Sequence, residues 1–137
     1  MNFRFTLSIF AFFFVSSFAS AQNKLNGDSL FTQARAKAFA GNHAEAIPLL
    51  DTVLTHFPNY ADVKIFKARI LSWDKNYTEA DTLLQQVLRD KPDNIDAHKA
   101  ITDNAMWSKN YKGAVTYAEQ GILVDPNNID LLLKKLT

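Results

Sequence analysis

The chain has 137 residues, with 15 lysines and arginines against 14 aspartates and glutamates, and it has no cysteine. A net charge of +1 creates no large positive field, so binding nucleic acid by neutralising its phosphates is excluded as a main function. Disulfides and cysteine-ligated metal sites are excluded too, and stability has to come from packed apolar faces.

Residues 1–21 are typical of a secretory signal peptide. Arg4 precedes an apolar run from Phe5 to Phe18, and Ala19 and Ala21 supply the small residues of a cleavage site. The run is shorter than the ~20 apolar residues of a membrane-spanning helix. We therefore predict an exported chain that loses residues 1–21 and does not insert stably into a membrane. Residues 22–26 are predicted to be a short linker, and an uncleaved anchor is the alternative.

Residues 27–128 repeat with a period of 34 residues. On both sides of a break in each copy, apolar residues recur at three- and four-residue spacing, which predicts two amphipathic helices. Stacked helix–turn–helix units have this pattern. We predict an all-α fold, an α-solenoid of repeats 27–60, 61–94 and 95–128 plus a short C-terminal helix in a partial fourth copy, 129–137, all in one domain, 27–137. The residues at the period are Pro58, Pro92 and Pro126, Asn42, Asn76 and Asn110, and Ala46, Ala80 and Ala114.

The break residues predict how each second helix begins. Asn42 and Asn76 are expected to cap it through their side-chain oxygens. Glu45 and Glu79 lie three residues further on, where a carboxylate reaches back to the cap. Because the third copy has Gly113 at that position, its cap is expected to be weaker.

On these residues the chain resembles the tetratricopeptide repeat family over 27–128. The resemblance implies a shallow right-handed superhelix that binds a protein or peptide, without catalysis and without a cofactor. The segments "ARILSWDKNYTEA" and "NAMWSKNYKGAV" resemble, more narrowly, the periplasmic repeat segment of YaiO-type outer-membrane β-barrel proteins. Further matching residues are Ala34, Ala68 and Thr102 in the first helix and Tyr77 and Tyr111 after the turn, while the family's first-helix tryptophan is replaced by Leu30, Lys64 and His98.

The resemblance also implies that the first helix of each repeat lines a concave groove. We hypothesise that Arg69, Trp73 and Trp107 contribute most of the partner affinity. A row of aspartates at one edge either belongs to the groove or marks where first helices begin, favoured by the helix dipole. The tryptophans are alternatively half-buried between helices. The predicted partner-binding residues are Arg35, Phe39, Asp62, Arg69, Trp73, Lys99, Asp103 and Trp107, and the aspartate row is Asp28, Asp62, Asp96 and Asp130.

Catalytic patterns are missing from the sequence. His43, His56 and His98 have no metal-ligand spacing, and there is no phosphate-binding glycine loop or serine nucleophile motif. We therefore predict a non-enzymatic adaptor without metal or cofactor. It is expected in the periplasm or at the periplasmic face of the outer membrane, bound to a protein or peptide in the cell envelope. The alternative is the N-terminal periplasmic fragment of a larger outer-membrane β-barrel or envelope protein.

Residues 129–137 carry an apolar pattern without a following polar helix. A terminal repeat normally presents a polar outer face. Three expectations are compatible with this end: the chain continues in a longer protein, it associates end to end with a second copy through Leu131, Leu132 and Leu136, or the end frays.

Overall fold

A computed structural model describes residues 26–136, and the predicted signal peptide lies outside this range. Within it the chain forms α-helices and no strand, so the predicted all-α solenoid of three hairpins plus a short terminal helix is confirmed. No helix in residues 26–136 combines the length and hydrophobicity needed to cross a bilayer. The helices are α1 Gly27–Phe39, α2 His43–His56, α3 Ala61–Trp73, α4 Tyr77–Asp90, α5 Ile95–Trp107, α6 Tyr111–Val124 and α7 Ile129–Leu136.

The two helices of each hairpin cross at small side chains. Ala34 of α1 and Ala46 of α2 are both fully buried, because only a small side chain fits where the two backbones approach closely. The same positions are filled by Ala68 and Ala80 in the second hairpin and by Thr102 and Ala114 in the third. Two residues after the end of each first helix, a residue with left-handed backbone geometry turns the chain into the second helix; these residues are Gly41, Lys75 and Lys109, with φ of 83°, 65° and 63°.

The predicted order of cap strength is wrong. The Asn110 side chain accepts a hydrogen bond from the Gly113 N–H at 3.0 Å, whereas Asn42 and Asn76 make no side-chain cap bond. The Asn76 amide instead donates to the Glu79 carboxylate at 2.8 Å. A Cβ on Gly113 would lie 2.4 Å from the amide nitrogen of Asn110. The glycine therefore leaves the space that this capping conformation needs.

Successive repeats meet at pairs of residues ten positions apart, the first in a second helix and the other in the next first helix. In the first two interfaces the paired residues share a buried cluster. In the last interface Leu131 is fully buried, and a Cβ added to Gly121 would lie 2.5 Å from its Cδ1. The pairs are Val53 with Val63, Val87 with Ala97, and Gly121 with Leu131. In the last pair the smallest first member faces the largest second member. The prediction that Leu131 takes part in end-to-end contacts is therefore wrong.

Candidate functional site

The face shared by the first helices contains an open groove of about 240 Å³ between α1, α3 and α5. Apolar side chains form its floor, and charged side chains stand around it. Two of the predicted site residues on α3, Asp62 and Arg69, line it together with Arg35 of α1. The other lining residues are Phe31, Ile65, Phe66 and Asp96, of which Asp96 belongs to the predicted aspartate row.

Phe66 is the centre of the groove floor. Its side chain is 8% exposed, and its ring centroid lies 5.7 Å from those of Phe31 and Phe39 and 6.2 Å from that of Trp73. The interplanar angles of 66°, 62° and 87° are edge-to-face contacts, the geometry that ring quadrupoles favour. The contacts with Phe31 and Phe39 join α1 to α3.

Arg35 lies over this floor. Its guanidinium carbon is 5.8 Å from the ring centroids of both Phe31 and Phe66, a distance at which a cation is attracted to an aromatic face. The residue is exposed, and no carboxylate in residues 26–136 forms an ion pair with it. Arg35 therefore presents its charge and its N–H donors to the groove.

The other predicted cations are already paired. A charge ladder crosses α3, α5 and α7: Arg69 lies 3.8 Å from Asp103, Lys134 lies 2.6 Å from Asp103 and 2.9 Å from Asp130, and Lys99 lies 3.5 Å from Asp130. This ladder of Arg69, Asp103, Lys134, Asp130 and Lys99 neutralises three predicted partner-binding residues, so less of their charge is available to a ligand.

The charge ladder also shifts the pKa of two of its members, Asp130 and Lys134. The hydrogen bond from Lys134 lowers the pKa of Asp130 despite partial burial, and Lys99 adds to this effect. Burial opposes the charged form of Lys134, but its bonds to Asp103 and Asp130 outweigh burial and raise its pKa. Both shifts favour the charged forms, so the ladder holds α7 against α5 near neutral pH.

The three predicted aromatic residues, Phe39, Trp73 and Trp107, are in contact only over the first two repeats. Phe39 is 66% exposed, and its ring lies 6.3 Å from that of Trp73, which is 39% exposed. The His43 ring packs on the same tryptophan at 5.7 Å. Trp107 is 45% exposed and has no ring contact within residues 26–136. Trp73 and Trp107 are thus both exposed, and their part in partner binding stays a prediction.

The aspartate row lies in the first turns of the first helices, where the helix dipole favours negative charge. Asp28 accepts a hydrogen bond from the Tyr60 hydroxyl at 2.6 Å, and this bond raises the pKa of Tyr60. Asp130 belongs to the charge ladder. Asp62 and Asp96 line the groove without an ion pair in the described part of the chain, so they offer acceptors opposite Arg35.

Residues 40–103 match the family described as tetratricopeptide repeat. The repeat domain of Sgt2 from Aspergillus fumigatus aligns with a TM-score of 0.74 at 19% identity, over 80% of this chain and 74% of that one. The first repeat domain of Spaghetti (RPAP3), bound to an HSP90 peptide, aligns with a TM-score of 0.74 at 14% identity, over 80% of this chain and 87% of that one. YrrB, described as having an unusual peptide-binding site, aligns with a TM-score of 0.76 at 17% identity, over 84% of this chain and 59% of that one.

These structural likenesses are below 25% identity and establish the fold. No curated protein sequence matches the chain. The narrower resemblance to YaiO-type proteins is not tested by these matches and stays a prediction.

Proposed function

We propose, from the premise that this chain is a tetratricopeptide repeat protein, that its concave groove binds an extended segment of a partner protein and that it acts without catalysis. The family match over residues 40–103 supports a binding module. An RPAP3 repeat domain of the same fold holds an HSP90 peptide, and YrrB has a peptide-binding site. The observation that carries the proposal for this chain is the exposed Arg35 above the Phe31 and Phe66 rings.

The groove chemistry defines the segment that fits. Ile65 and Phe66 provide an apolar floor for one apolar side chain. Arg35 offers a planar set of donors to a carboxylate, and the two rings beneath it hold the guanidinium in place. Asp62 and Asp96 offer acceptors to a basic side chain. We therefore expect a segment with an apolar residue between an acidic and a basic one.

We expect Arg35, and not Arg69, Trp73 or Trp107, to contribute most of the partner affinity. Arg69 is shared with Asp103, so a ligand carboxylate competes with an existing partner there. Trp73 is tied to Phe66 and His43 and contributes area at the rim. Arg35 has no carboxylate partner within residues 26–136 and lies over the Phe31 and Phe66 rings at the centre of the groove, so its truncation is expected to weaken binding most.

Binding by Arg35 is tested with peptides selected from a random 12-residue display library on the chain. We expect Arg35→Ala to weaken the selected peptides about tenfold or more in calorimetry, as removal of a central arginine anchor does. Arg89→Ala removes an exposed arginine from α4, away from the groove lining, and is expected to leave affinity within about twofold. Equal affinities for the two variants, with circular dichroism unchanged, would rule out the groove.

The proposed location of the module is the cell envelope. The apolar run and the Ala19 and Ala21 cleavage pattern support it. When the complete chain is expressed in a double-membraned bacterium, we expect N-terminal sequencing of the periplasmic fraction to begin at Gln22. Ala19→Leu with Ala21→Leu removes the small residues and is expected to block processing. Unprocessed wild-type chain confined to the cytoplasm would contradict export.

A further inference from the structure

A second open pocket, of about 290 Å³, lies between α4, α6 and the C-terminal end of α5. Within residues 26–136 it shares no lining residue with the groove. Its lining is mostly polar, with hydroxyl and amide side chains and the two tyrosines Tyr77 and Tyr117. Asp81 is the only charged residue of the described chain that lines it. We call this site the Asp81 pocket.

A buried hydrogen-bond network holds one wall of the Asp81 pocket in place. Asn104 of α5 lines the pocket and is 3% exposed. Its side-chain oxygen accepts a hydrogen bond from the Ser72 hydroxyl of α3 at 2.7 Å, and its amide donates to the Tyr77 carbonyl of α4 at 3.0 Å. Because these bonds join three helices, the wall is formed before any ligand arrives, as is usual in binding pockets.

The Asp81 carboxylate has neutral partners and no cation. One oxygen accepts a hydrogen bond from the Gln85 amide at 2.6 Å, and the other accepts from the Tyr117 hydroxyl at 3.4 Å. No lysine, arginine or histidine in residues 26–136 forms an ion pair with it. Burial raises the pKa of Asp81, and the two hydrogen bonds offset this only in part. The pocket therefore holds a partly buried negative charge that an external cation would stabilise.

We propose that the Asp81 pocket binds the guanidinium of an arginine side chain of a partner protein. An ionised carboxylate has about four acceptor positions, and Asp81 uses two of them within the chain. A planar guanidinium can therefore still pair with Asp81, and the Tyr77 and Tyr117 rings in the same lining attract cations. A lysine ammonium is more strongly hydrated and cannot stack on a ring as a plane. An anion is excluded, because Asp81 would repel it.

The peptide acetyl-Gly-Arg-Gly-amide tests this site when it is titrated into the ¹⁵N-labelled complete chain, expressed in an exporting host. We expect a dissociation constant on the order of 1 mM for a single anchored side chain, with the largest amide shifts at Tyr77, Asp81 and Asn104. The same peptide with citrulline in place of arginine keeps the shape but has no charge, and it is expected to bind about tenfold more weakly or worse. The lysine peptide is expected to bind more weakly than the arginine peptide. Equal binding of the arginine and citrulline peptides, or of the arginine and lysine peptides, overturns the proposal.

Asp81→Asn removes the charge and keeps the size of the side chain. It is expected to weaken the arginine peptide about tenfold or more. Asp62→Asn is the matched control, because it removes a carboxylate from the groove instead, and the shifts around Asp81 are expected to persist in it. Loss of these shifts in both variants, or in Asp62→Asn alone, contradicts binding in the Asp81 pocket.

A measurement on the unsubstituted chain tests the same contact without a change in packing. A bound guanidinium favours the charged form of a carboxyl group, so we expect the pKa of Asp81 to fall when the arginine peptide is added. The citrulline peptide is expected to leave this pKa where it was. The ¹³C shift of the Asp81 carboxyl carbon, followed against pH, gives both values. An Asp81 pKa that the arginine peptide does not lower at saturation overturns the proposal.

Discussion

Gly121→Val is expected to destabilise the C-terminal end of the solenoid by about 2–3 kcal/mol, as overpacking of a close contact does. A Cβ at residue 121 would lie 2.5 Å from the Cδ1 of Leu131 and 3.0 Å from the Cβ of His98. Neither neighbour has room to withdraw, since Leu131 is 0% and His98 5% exposed. Because α7 has only eight residues, it depends on this packing and is expected to detach.

The reverse change, Leu131→Ala, creates a cavity instead of a clash. Removing a fully buried leucine side chain costs about 2–5 kcal/mol, depending on how far the surroundings collapse. Gly121 has no side chain to fill the space. The two single variants are thus expected to be destabilised for opposite reasons.

The double variant Gly121→Val/Leu131→Ala has the residue pair of the preceding interface, where Val87 and Ala97 share the core. We expect it to recover at least about 2 kcal/mol relative to the sum of the single losses, which is a strong coupling between contacting residues. Urea unfolding measures the free energies, and hydrogen exchange of the α7 amides reports its docking. Simple addition of the two losses would show that residues 121 and 131 do not determine each other's size.

Phe66→Ala is the second change with a large expected effect, a loss of about 3–5 kcal/mol in the free energy of unfolding. Phe66 is 8% exposed and contacts the rings of Phe31, Phe39 and Trp73. Its removal leaves these rings without their common neighbour and opens the floor of the groove. Chemical denaturation followed by circular dichroism gives the measurement.

Trp107→Ala is the control for this loss. Trp107 is also an aromatic residue of a first helix, but it is 45% exposed and has no ring contact within residues 26–136. Its truncation is expected to cost less than about 1 kcal/mol, so its effect on binding can be measured on a folded chain. Comparable losses in the two variants would contradict the view that Phe66 is the centre of the groove floor.

The fold could be predicted because each repeated residue meets a fixed geometric requirement. Ala46 recurs as Ala80 and Ala114 because two backbones cross there and each crossing needs a small side chain. The spacing of the alanines alone therefore predicts the crossing. The caps could not be ranked in this way. Whether Asn76 caps its helix depends on competition from the Glu79 carboxylate. The spacing of residues in the repeat does not predict which of the two side-chain conformations Asn76 adopts.

The sequence predicts which helices and which face carry the candidate site, but not the ion pairs within it. Arg69 and Asp103 lie on different helices, and the sequence gives no indication that they neutralise each other. The burial of Leu131 was within reach of the pattern, since the equivalent residues Val63 and Ala97 have core character. The role of Phe66 could not be predicted from the sequence, because it depends on ring contacts with Phe31 and Phe39 on α1.

The most direct test of groove binding is a titration of the ¹⁵N-labelled chain with a peptide selected on it, followed by amide chemical shifts. The account predicts that the largest shifts cluster on α1 and α3 around Phe31, Arg35 and Phe66, and that they vanish in Arg35→Ala. Shifts confined to the outer faces of α2, α4 and α6, and unaffected by that substitution, would contradict it.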